Sequence, residues 1–356
     1  MSEKRKQKTL GQQEKPLRAL DLFSGCGGLT LGLKRAGFEV VGAVEIDSAA
    51  VETYKANHPE VRVKRIDIRN LSAVGLRREL RMQRGELDLL AGCPPCQGFS
   101  VLRTLNGASN NRDARNDLVH EMLRFARAFL PKAVMMENVP GLVQHKPFHD
   151  LCRGLRRLGY RLTFEVKDAA RYGVPQRRRR LILLAGRGFD IQFPTESRRV
   201  RTVRNAIGGM KEAGQSGDGL HDIPDKQRTA KVQALIRDIP KNGGSRGDLP
   251  KRRQLSCHKR SDGFSDIYGR MAWDKVAPTI TSGCFNPSKG RFLHPRKNRA
   301  ITMREAALLQ GFPPRYVFDP SIGKQAIALM IGNALPPEFI HRHAREIRKA
   351  LHAGRK

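Results

Sequence analysis

The sequence predicts an α/β fold, a largely parallel sheet with a smaller domain inserted, and three observations carry that reading. From Leu17 to about Gly186 short apolar runs alternate with stretches of helical period, the pattern of βαβ units. Residues near 190 to 290 are punctuated by Gly and Pro, basic and weakly periodic, which predicts an irregular, mostly loop-and-strand second domain. Helical pattern then resumes near Thr302, so the C-terminal helices are expected to return and complete the first domain. The expected division is a disordered basic arm over 1–16, a first domain over 17–190, an inserted domain over 191–298 and C-terminal helices over 299–356.

Taken in order, strands are expected over 19–23, 40–46, 61–66, 87–91, 133–136, 162–166 and 181–185, each a short run of apolar residues. Helical spacing falls over 29–35, 49–57 and 118–129, with Pro59 and Pro131 just beyond two of the ends. Thr302 caps an amphipathic helix reaching Gln310. A last helix from Pro337 to Leu351 places Phe339, Ile340, Ile347 and Leu351 near one apolar stripe.

Charge narrows the partner. The 356 residues carry 67 Lys and Arg against 34 Asp and Glu, a net charge of +33, far beyond what solubility requires, so a polyanion is expected and nucleic acid leads. An anionic membrane is the competing polyanion, but no stretch approaches twenty apolar residues and no lipidation motif is present, so no membrane partner is expected. The first eight residues are charged without an apolar h-region, so no secretory signal is expected. Six cysteines in a chain of this length point to free thiols in a reducing cytoplasm. Cys93 and Cys96 form a C-x-x-C, but a zinc site needs a second ligand pair and the other cysteines are scattered singly, so no metal is expected.

The first strand runs through Asp21-Leu22-Phe23-Ser24-Gly25-Cys26-Gly27-Gly28 into a helix. Its glycines let backbone approach a ligand at a helix N-terminus. The dinucleotide fingerprint wants a third glycine or alanine where Thr30 stands, so the pattern gives the nicotinamide reading little support. Glu45, twenty residues past Gly25 and followed by Ile46 and Asp47, is placed to accept hydrogen bonds from ribose hydroxyls, whereas Asp47 alone reads as the cap of the next helix. A nucleoside-type cofactor follows, with Asp67-Ile68 as a candidate adenine contact.

After the fourth strand come Gly92 and Pro94-Pro95-Cys96-Gln97, a turn that presents the Cys96 sulfur where open α/β sheets bind substrate. By itself Cys96 reads either as a nucleophile or as a buried structural thiol. Glu137-Asn138 ends the next strand at the same edge. In Gln176-Arg177-Arg178-Arg179-Arg180, strand alternation puts Arg178 and Arg180 on one face. Gly98 to Asn116, rich in Gly, Ser, Asn and Arg, suits a mobile loop closing over a substrate.

These blocks together resemble the DNA (cytosine-5)-methyltransferase family. The ordered matches are Phe23-x-Gly25-x-Gly27-Gly28, Glu45-x-Asp47, Pro95-Cys96-Gln97, Glu137-Asn138-Val139, Gln176-x-Arg178-x-Arg180, Arg304-Glu305-Ala306-Ala307 with Gln310-Gly311-Phe312-Pro313, and Gly332-Asn333-Ala334. The resemblance spans Leu17 to Leu351. It implies a Rossmann-like methyltransferase fold, S-adenosyl-L-methionine as cofactor, a target-recognition domain inserted after the arginine block, and duplex DNA as partner. It also implies a cytoplasmic monomer in a prokaryote or phage host, with any cognate restriction endonuclease acting separately.

The resemblance further implies that Cys96 attacks carbon 6 of a flipped cytosine, making carbon 5 nucleophilic, and that nearby arginine charge helps ionise the thiol. Glu137 holds N3 and the exocyclic amine, Arg180 contacts O2 with Arg178 in support, and Asn138 orients the loop. Phe23, Gly25, Gly27, Gly28, Glu45, Ile46, Asp67, Ile68, Pro95 and Asn333 form the cofactor site. Cys93 is a neighbour without a chemical role. In the inserted domain, seven Lys and Arg against one Asp between Lys241 and Arg260 suit phosphate contact; Asn286, Lys289 and Arg291 are candidates for base readout, and Trp273 for packing. An RNA cytosine-5 methyltransferase and a non-catalytic DNA-binding relative are the alternatives.

Overall fold

A computed structural model describes residues 15–95, 118–225, 227–254 and 266–354. The expected arm, the closing loop and Cys96 itself therefore fall, wholly or nearly so, outside the described residues.

All seven expected strands form, as one sheet ordered β3-β2-β1-β4-β5-β7-β6. They are β1 (Leu17–Leu22), β2 (Phe38–Glu45), β3 (Val63–Arg65), β4 (Leu89–Gly92), β5 (Ala133–Asn138), β6 (Tyr160–Asp168) and β7 (Arg179–Arg187). The first five are parallel neighbours. The parallel expectation fails at β7, which runs antiparallel to both β5 and β6. The cause is the connection: residues 169–178 hold only a 3-10 turn at Ala169–Tyr172, too short for the crossover a parallel pair requires.

Strand alternation sorts side chains to the two faces. On one, Leu20, Leu22, Leu90, Val134, Met136, Leu181 and Leu183 pack under α3 (Ala73–Glu79), α4 (Leu118–Phe129) and α5 (Lys146–Arg157). On the other, Ala19, Leu89, Ala91, Met135, Ile182 and Leu184 meet α1 (Gly28–Arg35), α2 (Ser48–Asn57) and α10 (Pro337–Ala353). A Cβ on Gly32 of α1 would lie 2.5 Å from Ile340, so glycine there is what lets the C-terminal helix seat against α1.

Residues 191–298 contain no strand among the described residues, only α6 (Val203–Ile207), α7 (Ala230–Asp238), 3-10 turns and isolated bridges. The loop-and-strand expectation is corrected to loops and short helices. Cohesion comes instead from a small apolar cluster around Leu235, Ile236, Ile239 and Leu293, and from Arg270. That side chain is fully buried, and its guanidinium donates to the carbonyls of Ile236, Ile239, His294 and Lys297 and to Asn298 Oδ1. Burial lowers its pKa to about 10, so it stays cationic at neutral pH. Arg270→Met, similar in bulk, strands those acceptors; a loss on the order of 3–5 kcal/mol in denaturant unfolding is expected, and an unchanged midpoint would refute the hub.

Part of the same segment packs with the helices that follow it: α6, Met271, Ile280 and Phe292 share a cluster with α8 (Met303–Gln310) and α9 (Lys324–Asn333). The expected cap of α8 is a full capping box between Thr302 and Glu305.

Candidate active site

The strand order reverses between β1 and β4, where the chain leaves one half of the sheet for the other. Open α/β sheets bind ligands at the carboxyl ends beside such a reversal. A cavity of about 910 Å³ opens there.

At one end of the cavity lies the turn after β1. Phe23 adopts φ +61 and Gly25 φ +52, left-handed backbone that is costly for Phe and free for Gly. Nothing lies within 4 Å of a Cβ built on Gly25, so its α-carbon faces open cavity. Glu45, ending β2, fixes the turn: Oε2 accepts from Gly25 N–H at 2.8 Å, while Oε1 accepts from Ile46 and Asp47 N–H at 2.8 and 2.9 Å. Ile46 remains 61% exposed on the cavity wall, an apolar surface left uncovered. Asp47 accepts from Ala50 N–H and caps α2, the role expected of it.

Two glycines serve the fold rather than open space. A Cβ on Gly27 would lie 2.6 Å from His58 and 2.7 Å from the Tyr316 hydroxyl, and one on Gly28 would lie 2.6 Å from the Leu335 carbonyl. Gly27, expected in the ligand set, is packed by His58 and Tyr316 instead of bordering the open cavity. Its carbonyl lies 3.2 Å from His58 Nε2, and Tyr316 Oη donates to the Cys26 carbonyl. Thr30, which broke the dinucleotide pattern, donates to Asp21 Oδ2 at 2.7 Å. Asp21 is fully buried with Oδ1 unpartnered, and burial raises its pKa to about 8 against the opposing Thr30 hydrogen bond.

After β3, the Asp67 carboxylate accepts from Arg69 N–H and pairs with the Arg69 guanidinium, which lowers its pKa. Asp67 and Ile68 both line the cavity, but that carboxylate is already engaged by its own turn.

At the other end stand the residues after β4 and β5. Asn138 Nδ2 donates to the Pro94 carbonyl at 3.0 Å and its Oδ1 accepts from Val139 N–H, so one side chain ties the proline turn to the end of β5. Pro95 lines the cavity; Cys96 follows it, outside the described residues. Glu137 is buried, 6% exposed. Arg180 Nε lies 2.8 Å from its Oε1 without an aligned hydrogen bond to that oxygen. Burial raises the Glu137 pKa, while Arg180 and Arg178 pull it down.

Arg178 shares that face but is spent on the scaffold. It is 3% exposed, donates to the carbonyls of Ile280 and Gly332, and burial lowers its pKa to about 9. Gln176, which opens the arginine block but has no role assigned there, is a clamp. Its Nε2 donates to Gln310 Oε1 at 2.6 Å and its Oε1 accepts from Ile280 N–H at 3.0 Å, while Gln310 donates to the Ala334 carbonyl. Four segments far apart in sequence are thus pinned around the cavity, with exposed Asn333 and Thr279–Ser282 on its wall.

Two expected readout residues do other work. Asn286 Oδ1 accepts from Ser288 N–H and Oγ, a turn cap. Arg291 pairs with Asp266 and donates to the carbonyls of Gly243, Gly244 and Arg270. Both side chains are engaged within the domain, Asn286 through Oδ1 and Arg291 through Nε and Nη1. Lys289 is exposed, and Trp273 packs edge-on against His294. Some of the basic stretch is also used internally, as in Arg253 with Asp238 and Lys241 with Asn298. Among the described residues no group of three His, Cys, Asp or Glu could hold a metal, and no helix is long and apolar enough to cross a membrane.

Comparison with known proteins gives the same arrangement a lineage. The type II methylase M.HgiDII of Herpetosiphon aurantiacus is 34% identical, aligning 93% of this chain with 95% of its own. The type II methyltransferase M1.HphI of Haemophilus parahaemolyticus is 36% identical over 90% of this chain and 84% of its own. A solved prophage-encoded protein of E. coli, described as a DNA modification methyltransferase, superposes with TM-score 0.69 at 26% identity, covering 94% of this chain and 99% of its own. The profile of C-5 cytosine-specific DNA methylases matches residues 17–349, and the chain belongs to that family.

Proposed function

We propose that this protein transfers a methyl group from S-adenosyl-L-methionine to carbon 5 of a cytosine flipped out of a specific duplex DNA sequence. The observation that carries the reading is one continuous cavity with the Gly25–Glu45 turn at one end and Pro95, Glu137 and Arg180 at the other. The methylase family profile and the type II relatives favour DNA over the RNA alternative and an enzyme over a non-catalytic binder.

The cofactor end fits that ligand. The open α-carbon of Gly25 allows close approach, exposed Ile46 offers an apolar surface for a purine ring, and Glu45 Oε2, with Gly25 N–H as its one backbone donor, keeps a lone pair for a ribose hydroxyl. When bound, the cofactor supplies an electrophilic methyl group. Glu45→Gln loses the charge and one acceptor, so S-adenosyl-L-methionine binding is expected to weaken about 10- to 100-fold by calorimetry; unchanged affinity would place the ribose elsewhere.

At the other end, the chain's own groups handle the base. The Cys96 sulfur bonds to carbon 6, and the ring electrons move to make carbon 5 nucleophilic. Glu137, buried beside Arg180, hydrogen-bonds N3 and the exocyclic amine and shares a proton as the ring gains electrons. Arg180 stabilises the developing charge at O2. Carbon 5 takes the methyl group; loss of its proton and departure of sulfur then restore the aromatic ring. Asn138 keeps the turn that carries Cys96 in place through Pro94.

Residues 191–298 act as the target-recognition domain, with unpaired basic side chains on DNA phosphates. The working unit is a cytoplasmic monomer, with any cognate endonuclease acting separately. Incubation with methyl-labelled cofactor and either duplex DNA or transfer RNA tests the reading: label in DNA is expected, and label in RNA alone would overturn it.

A further inference from the structure

The sequence assigns Cys93 no role, yet the fold sets it beside the group that handles the base. β4 and β5 pair as Ala91 with Met135 and Gly92 with Met136, so Cys93 and Glu137 are the next residues along, side by side beyond the last pair. Alternation gives both the face of Ala91 and Met135, and Cys93 packs against the cluster on that face. Both line the cavity, and the Glu137 carboxylate, whose Oε1 is buried without a hydrogen-bond partner, lies close enough to the Cys93 thiol to act on it electrostatically. Burial and the neighbouring Glu137 and Asp21 carboxylates raise the thiol pKa well above its usual value. Cys93 is therefore an S–H donor at neutral pH and not a second nucleophile.

We propose that Cys93 is a positioning residue for Glu137: its S–H donates to the carboxylate and holds the rotamer in which Glu137 and Arg180 together face the base. This rests on the methyl-transfer reading above. Among the described residues the charged or titratable groups acting on Glu137 are Arg180 from β7, Arg178 just before it and Cys93 just after β4; Thr279–Ser282 and Gly332–Asn333 bring only neutral groups to the same wall. A donor to the ionised carboxylate favours that form, so losing the thiol lets burial push Glu137 further up.

The test compares the full chain as wild type, Cys93→Ala and Cys93→Ser. Cys93→Ala is expected to lower kcat about 3- to 10-fold and to move the pH midpoint governed by Glu137 upward by about half to one unit, with KM for S-adenosyl-L-methionine unchanged. Cys93→Ser, whose hydroxyl can donate, is expected to restore both. The same displacement is read without turnover in the carboxyl infrared band that Glu137→Gln removes. Absence of methyl transfer by the wild type would sink the functional reading while the infrared shift still decides the role of Cys93. An alanine variant with the wild-type profile and band overturns the proposal, as does equal loss in the alanine and serine variants, which would mark a packing role.

Discussion

Cys96→Ala is expected to reduce methyl transfer to background while leaving cofactor affinity and duplex binding within about twofold. The reason is chemical: carbon 5 of cytosine is a poor nucleophile until a sulfur bonds to carbon 6, and neither cysteine lining the described cavity can take the place of Cys96. Cys93 faces Glu137 with its pKa driven up. Cys26 is buried, and burial raises its thiol to about 12. Cys96→Ser is expected to fail nearly as completely, because a hydroxyl ionises far less readily than a thiol. Methyl transfer by either variant above a few per cent of wild type would remove covalent catalysis from the account.

Glu137→Gln is the second large effect, a fall in kcat of about 10²- to 10⁴-fold with KM for S-adenosyl-L-methionine unchanged. Glutamine keeps the volume at the end of β5 but cannot pass a proton to N3, and it leaves Arg180 without the carboxylate 2.8 Å from its Nε. Because burial raises the pKa of Glu137, the wild-type rate profile should carry a limb above the usual carboxylate range, and that limb should vanish in the variant. A profile identical in both proteins would assign the proton transfer to another group.

Much of this was legible in the chain because strand and site share a cause. A buried parallel strand is a run of apolar residues, and the residue that follows it stands at the ligand edge, so Phe23, Glu45, Asp67 and Pro95 could be placed once the strands were read. Contacts between distant segments were not legible. Nothing around Gln176 announces that its amide will bridge Ile280 and Gln310, and nothing around Arg270 announces burial among carbonyls. Arg291 and Asn286 look like readout residues in a basic, polar stretch; only the fold shows Asn286 Oδ1 capping a turn and Arg291 Nε and Nη1 held by Asp266 and backbone carbonyls.

Other misses had signals. Pro147 with Phe148, Leu151, Cys152 and Leu155 is a helix start with apolar spacing, and it forms α5. The short link before β7 argued against a parallel last strand. The spacing of Cys93 to Cys96 points only to half a zinc site, whereas its neighbour Glu137 lies on the next strand.

The central claim is a covalent attack by Cys96 on cytosine, and a substrate that cannot complete the reaction tests it most directly. Fluorine at carbon 5 replaces the proton that must leave, so elimination stops after methyl transfer. Random-sequence duplex containing 5-fluorocytosine, incubated with the protein and S-adenosyl-L-methionine, should yield a complex that survives denaturation and maps by peptide mass to Cys96. Linkage at another residue, or no surviving complex from protein that methylates the unsubstituted duplex, would contradict it.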